Sequence, residues 1–213
     1  VAQKIAVIDY GMGNLRSVSK AVEHVAGDAE VRVTDDPRFI DGADRVVFPG
    51  QGAARDCMAA IGDHHLNQAV LHAAQNKPFL GICMGLQVLM RHSDENGGTA
   101  LLGLFAGEVR RFDGLAVGEN GLPLKIPHMG WSQVRQVGSH PLWSGIADQS
   151  RFYFVHSYRV VPEDVSLIAA TTDYGVRFTA AIAHDNLFAT QFHPEKSAGA
   201  GLRLLENFVN WRI

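Results

Sequence analysis

Two cysteines in 213 residues, Cys57 and Cys83, leave no disulfide framework to staple a small fold. Long apolar runs are missing too: nowhere do about 18 apolar residues follow one another, so no membrane-spanning helix is expected. Positive charge is not in excess. Lys and Arg number 19 against 22 Asp and Glu, a net charge of −3, which gives no electrostatic footprint for nucleic acid. The ten histidines carry no H-x-x-x-H spacing, and His64 and His65 are adjacent and cannot chelate from one helix face. With no C-x-x-C either, no metal is expected, and nothing calls for a cofactor. The N-terminus enters a strand at once, which reads as no signal peptide and makes the cytoplasm the expected compartment.

What remains is an ordinary globular composition, 46% hydrophobic and 19% charged, in a chain long enough to bury a full core. No internal repeat or linker interrupts it, so a single domain over residues 1–213 is expected. Lys4–Asp9 is a short apolar strand, Tyr10–Asn14 a turn, and Leu15, Val18, Val22 and Val25 mark a helix closed by Gly27. A strand, a glycine turn and a helix in that order suggest a parallel sheet with crossover helices. Gly11 and Gly13 invite a dinucleotide reading, but the third glycine is replaced by Arg16, so a tight turn on the sheet rim, facing a partner, fits better. Strands follow at 30–34 and 44–48, with Asp36-Pro37 as N-cap and first residue of a short helix between them. The second strand runs into Pro49-Gly50-Gln51-Gly52, a loop at a strand's carboxyl end, where such sheets place ligands. Helices are expected near 53–61 and 65–75; Cys57, in the first, reads as packing.

The chemistry concentrates in Pro78–Gln87. An apolar strand, 78–82, ends in Gly81-Ile82-Cys83-Met84-Gly85, the layout of a nucleophile elbow with cysteine in the place of serine. A nucleophile on a sharp strand-to-helix turn needs neighbours that are nearly free of side chain. A helix through Leu86, Leu89 and Met90 would point N–H groups and its positive end at the sulfur. The N–H of Met84 would face an oxyanion, with Gly50, Gln51 and Gly52 as a second donor set. The same stretch would also suit a structural cysteine at the end of a core strand.

Beyond Ser93–Gly98 the chain turns β-rich, with antiparallel strands expected at 105–112, 132–137, 152–158, 167–172, 178–184 and 187–192. The glycine-rich loop 113–124 reads as mobile, and 199–213 as an amphipathic helix. Gln191-Phe192-His193-Pro194-Glu195 closes the last strand. His193 and Glu195, two apart on an extended chain, would share a side, letting a carboxylate hold one imidazole nitrogen while the other faces a nucleophile. With Cys83 they supply nucleophile, base and orienter.

Gly81–Gly85 together with Phe192–Glu195 resembles the class I, or triad, glutamine amidotransferases. Ile8–Asn14, Lys125–Trp131 and His193–Ser197 narrow the resemblance to the glutaminase subunits of imidazole glycerol phosphate synthases, over nearly the whole chain. Ser132 stands where that family usually has Asn, and Ala198 where Gly or Gln is common. The resemblance implies a flavodoxin-like α/β fold: a mostly parallel central sheet flanked by helices, with an additional antiparallel region. It implies glutamine hydrolysis through Cys83, His193 and Glu195, with the ammonia channelled to a (β/α)8-barrel cyclase partner in histidine biosynthesis. It places Gln87, Glu95, His156, Ser157 and Tyr158 around the glutamine, and Asn14, Lys125, His128, Trp131 and Lys196 at the partner interface. A glutaminase serving another acceptor, or a free-standing γ-glutamyl hydrolase, would share the same triad. The two glycines of the 49–52 loop also make a peptide flip sterically cheap, so the partner could form the oxyanion hole on binding; a Gly50→Ala variant would test this.

Overall fold

Side-chain alternation along the first strand sets up two helical layers. In β1 (Lys4–Ile8), Ile5 and Val7 join one apolar cluster while Ala6 and Ile8 join the other. The computed structural model describes residues 2–113, 121 and 123–213. From β1 the chain passes through α1 (Leu15–Val25), β2 (Glu30–Thr34), α2 (Pro37–Gly42), β3 (Arg45–Gly50), α3 (Ala54–Asp63), α4 (Asn67–Asn76), β4 (Phe79–Cys83) and α5 (Met84–Gln87). Short β5 (His92–Ser93) and β6 (Thr99–Ala100) lead to β7 (Gly107–Arg111), β8 (His128–Gln133) and β9 (Arg135–Gln136). Then come β10 (Arg151–His156), β11 (Tyr158–Pro162), β12 (Ile168–Tyr174), β13 (Val176–His184), β14 (Leu187–Thr190) and α6 (Ala198–Asn210).

The main sheet runs β2-β1-β3-β4-β14-β13-β12-β9. Its first five strands are parallel and the rest antiparallel, which is the flavodoxin-like order extended at one edge. Val18 and Val22 of α1 and Leu204, Leu205 and Phe208 of α6 cover one face. Ile40, Cys57, Ile61 and Val70, from α2, α3 and α4, cover the other. Two smaller antiparallel pairings, β8 with β10 and β7 with β11, lie beside it. None of the described helices is long and apolar enough to cross a membrane.

Four expectations change. Leu187–Thr190 is not antiparallel throughout: it pairs parallel with β4, and its four residues are all buried, as suits a strand covered on both faces. Two expected strands divide: 132–137 falls across the end of β8 and β9, which belong to different sheets, and 152–158 splits at Ser157 into β10 and β11, which pair with different strands. The elbow helix stops at Gln87 because the 101–105 segment takes the carbonyls a longer helix would need. Leu102 N donates to Val88 O at 2.9 Å, Gly103 N to Met90 O at 2.9 Å and Phe105 N to Leu89 O at 3.0 Å. Residues 114–120 and 122 of the loop read as mobile lie outside the described residues.

At the start of α6, Ala198 has φ of +48°, backbone that glycine adopts without a steric penalty. Ala198→Gly is expected to raise stability by about 1 kcal/mol, read as a higher urea midpoint at unchanged slope.

Candidate active site

The carboxyl ends of β3, β4 and β14 converge, and each delivers one part of the site. Cys83, last in β4, has φ 56° and ψ −105°, outside the ordinary wells for a side-chain-bearing residue. Such backbone persists only where the surroundings impose it. They do so through glycines whose value is close approach, since neither has positive φ. A Cβ on Gly81 would lie 2.7 Å from Gly85 O, and one on Gly85 would overlap Phe48 O of β3. Met84 opens α5, so its N–H has no intrahelical acceptor. With only four residues, α5 brings no long-helix dipole to the sulfur, and the Cys83 side chain accepts no capping hydrogen bond from its first turn.

His193 follows β14 and caps a 3-10 turn, Pro194–Lys196. That turn, not strand alternation, brings the pair together: His193 Nδ1 lies 2.7 Å from Glu195 Oε1, and both side chains are almost fully buried. Ser197 locks the turn, donating its hydroxyl to His193 O at 2.6 Å and accepting Tyr153 N at 3.0 Å. His193 Nε2 is buried with no hydrogen-bond partner, and it borders the same cavity as Cys83. Burial by itself would lower the imidazole's pKa. The Cys83 charge, followed by Glu195, more than reverses this and raises it to about 10. A His raised in the folded state adds stability that is fully present below the unfolded value, near 6.5, and is lost as pH rises through 10. Urea midpoints are therefore expected to fall between those pH values. The fall should shrink in Cys83→Ala, which removes the strongest raising influence.

A cavity of about 400 Å³ brings together Cys83, Met84, Gln87, Glu95, His193, Lys196, Gln51, Gly52 and residues 156–158. Glu95 Oε2 is fixed by Ala54 N at 2.6 Å, the first N–H of α3. Gln87 is buried, with its amide nitrogen 3.2 Å from Tyr158 O and 3.0 Å from Gln191 Oε1, so its carbonyl oxygen is the polar atom left for a ligand. His156 has both ring nitrogens engaged, with Tyr158 O and His128 Nδ1, and offers a ligand only its backbone. Burial lowers the pKa of His156 to about 3 and of His128 to about 4, so both rings are neutral near neutral pH.

The proposed interface residues separate. Trp131 and Lys125 are exposed, and Lys196 is half-buried at the cavity. Asn14 caps α1 by accepting Ser17 N at 3.3 Å and borders the space behind His193 and Glu195. His128 is corrected: it is 2% exposed, stacks 3.9 Å from the Tyr174 ring and bonds Ser132 Oγ at 2.8 Å. Inward alternation on β8 puts it in the core, while Met129 and Trp131 face out. Gly50 also differs from expectation. A Cβ there would overlap the Tyr10 hydroxyl and lie 2.7 Å from Met84 Cβ, so alanine would disturb the elbow itself and cannot isolate a peptide flip.

Cys57 is buried as expected, its thiol raised by burial to about 11, and it donates to Gln51 O at 3.4 Å, tying α3 to the glycine loop. Gln191 carries no role in the sequence motif, yet its Nε2 lies 3.6 Å from Cys83 Sγ. Among the described residues, His92, Asp94 and Glu108 bring ligand atoms within 4.8 Å of one another, but Glu108 already pairs with Arg91 and His92.

A strained cysteine at the end of a parallel strand, faced by a buried His–Glu pair, is the geometry of a thiol hydrolase acting on amides. Residues 6–211 match the glutamine amidotransferase class-I family, and the chain belongs to it. Among curated relatives, the imidazole glycerol phosphate synthase subunit HisH of Dechloromonas aromatica is 61% identical, with 99% of this chain and 97% of the relative aligned. The protein of the same name in Methylococcus capsulatus is 57% identical over 97% of this chain and 96% of its own length. A solved structure gives the same fold at low identity: PurLQS from Thermotoga maritima superposes with a TM-score of 0.72 at 17% identity, covering 99% of each chain.

Proposed function

We propose that this chain is the glutaminase subunit of an imidazole glycerol phosphate synthase, acting as a single catalytic domain in the cytoplasm. It hydrolyses glutamine to glutamate and ammonia. The ammonia passes to a (β/α)8-barrel cyclase subunit, which uses it to convert the ribulosyl intermediate PRFAR into imidazole glycerol phosphate and AICAR. The observation that carries the reading is Cys83 and His193 lining one cavity, with Glu195 holding the far nitrogen of His193, in a chain matched over nearly its whole length by relatives of that name.

The Cys83 thiolate attacks the side-chain amide carbon of glutamine, and the carbonyl's π pair moves onto oxygen. The N–H of Met84 and the Gly50–Gly52 loop receive that oxyanion; one such donor is typically worth about 10²–10³ in rate. As the C–N bond breaks, the His193 imidazolium gives its proton to the departing ammonia. Neutral His193 then takes a proton from water, whose oxygen attacks the thioester and releases glutamate and the thiolate. Glu195 holds the Nδ1–H of His193 throughout, fixing the tautomer and stabilising the imidazolium. Glu95 is a carboxylate suited to the substrate's α-ammonium, and the carbonyl of Gln87 can accept from the same group. The backbone and hydroxyls of Ser157 and Tyr158 face the α-carboxylate. Exposed Trp131 and Lys125, with Asn14 and Lys196, form the proposed docking side.

Glutamate release, measured with and without the barrel cyclase and PRFAR, tests the reading. Low release alone and strong stimulation by both together are expected. Full activity alone would favour a free-standing hydrolase, and indifference to the cyclase would point to another acceptor.

A further inference from the structure

One backbone carbonyl, which can only accept, fixes the direction of a buried chain of amides leading to the sulfur. Tyr158 O receives His156 Nδ1 at 2.8 Å and Gln87 at 3.2 Å, so the Gln87 group on that side must be its NH₂. The same nitrogen lies 3.0 Å from the terminal group of Gln191, which must therefore be the oxygen. Gln191 is left with its own NH₂ aimed at Cys83 Sγ, 3.6 Å away. Reversing either amide would place two donors or two acceptors face to face. The assembly is held from behind: Gln191 is fully buried, and its backbone N donates to Ala180 O at 2.8 Å.

We propose that Gln191 is a further catalytic residue, a fixed N–H donor to the Cys83 sulfur that holds it as a directed thiolate before attack. This rests on Cys83 being the nucleophile. A neutral amide suits the place because it gives a donor to the anion without a cation that would compete with His193 for it. Gln191 also links the sulfur to Gln87, a residue of the glutamine cavity, through two hydrogen bonds in series.

The other titratable groups around the sulfur are His193, which caps the 194–196 turn, Glu195 within it, Tyr10 beyond β1, Cys57 in α3, Glu95, Tyr158 and Lys196 at the cavity, and His156 at the end of β10. All remain in Gln191→Met, which adds no titratable group, so a changed pH profile there reports the amide. The test is the rate of Cys83 alkylation by iodoacetamide, located by mass spectrometry, in the full chain and in Gln191→Met and Gln191→Glu. Losing a hydrogen bond to a charged group predicts about a tenfold slower reaction at neutral pH for Gln191→Met. Gln191→Glu is nearly isosteric and keeps the acceptor for Gln87, yet it should be slower still, because a carboxylate would face the sulfur. Both should approach the unsubstituted rate at high pH. In the unsubstituted chain, the Gln191 side-chain amide resonance should shift when Cys83 is alkylated, a measurement independent of how the variants fold. Unchanged rates at neutral pH, slowing that persists equally at high pH, or an unmoved resonance would overturn the role. Loss of glutamine hydrolysis in Cys83→Ala would stand regardless, so this proposal can fail without the glutaminase reading.

Discussion

Cys83→Ala is expected to reduce partner-stimulated glutamine hydrolysis by about 10⁴-fold or more while leaving the chain folded. The size follows from the mechanism: without sulfur no acyl intermediate forms, and the remaining oxyanion donors have only water to assist. His193→Ala should cost about as much, because a thiolate without its acid cannot expel ammonia. The double variant should be little worse than either single one, since the two side chains act as a unit. The fold should survive because the removed sulfur atom lies at the rim of the core and makes no hydrogen bond on which the sheet depends. Steady-state glutamate release in the complex checks the rate, and circular dichroism with a urea titration checks the fold. Additive losses in the double variant would mean that Cys83 and His193 serve separate steps.

The second large effect is expected away from the reacting atoms. Gly201 lies in α6 where a Cβ would overlap the Pro194 carbonyl oxygen and come 2.8 Å from Ser197 Cβ. Those atoms belong to the turn that holds His193 beside Glu195, and Ser197 bonds the His193 carbonyl. Both contacts are backbone or short side chain, so nothing can swing aside. Gly201→Ala should therefore push α6 and the turn apart, lowering stability by about 3 kcal/mol. A displacement of about 1 Å in the imidazole should cost roughly 10²-fold in rate even in the folded fraction. Thermal unfolding and kinetics corrected for folded protein check the two parts. An unchanged midpoint would show that the helix yields without strain.

How far the sequence foretold this arrangement depends on the range of the interaction. The elbow was legible because its spacing is local, Gly81, Cys83 and Gly85 falling within five residues, although the close approach that requires Gly85 comes from Phe48 of β3. The five parallel strands could be read from apolar runs alternating with helical periods, apart from β14, whose partner is about a hundred residues away. Its parallel pairing with β4 is what sets His193 beside Cys83, and only the completed sheet shows it. The early end of α5 was hidden for a similar reason. Leu89 and Met90 keep a helical spacing, but their carbonyls are claimed by residues 103–105, and local periodicity cannot register a distant competitor.

His128 shows the same limit in a single residue. Its run with Trp131 resembles an interface segment, yet strand alternation turns the imidazole inward and the indole outward. Gln191 escapes a sequence reading because a glutamine beside a histidine motif carries no signal of its own. Its significance arises from Gln87 and the Tyr158 carbonyl: Gln87 is 104 residues from Gln191 along the chain and 71 from Tyr158. Gly201 has the same character, being an inconspicuous glycine in a helix until the Pro194 carbonyl is placed against it.

The central claim is that Cys83 attacks the side-chain carbonyl carbon of glutamine. A chloroketone analogue of glutamine, added to the chain with the proposed cyclase partner, tests it directly by mass spectrometry. The account predicts one adduct, on the peptide containing Cys83, formed more slowly in the presence of free glutamine and absent from Cys83→Ala. An adduct on Cys57, or labelling of Cys83 that glutamine does not slow, would contradict it.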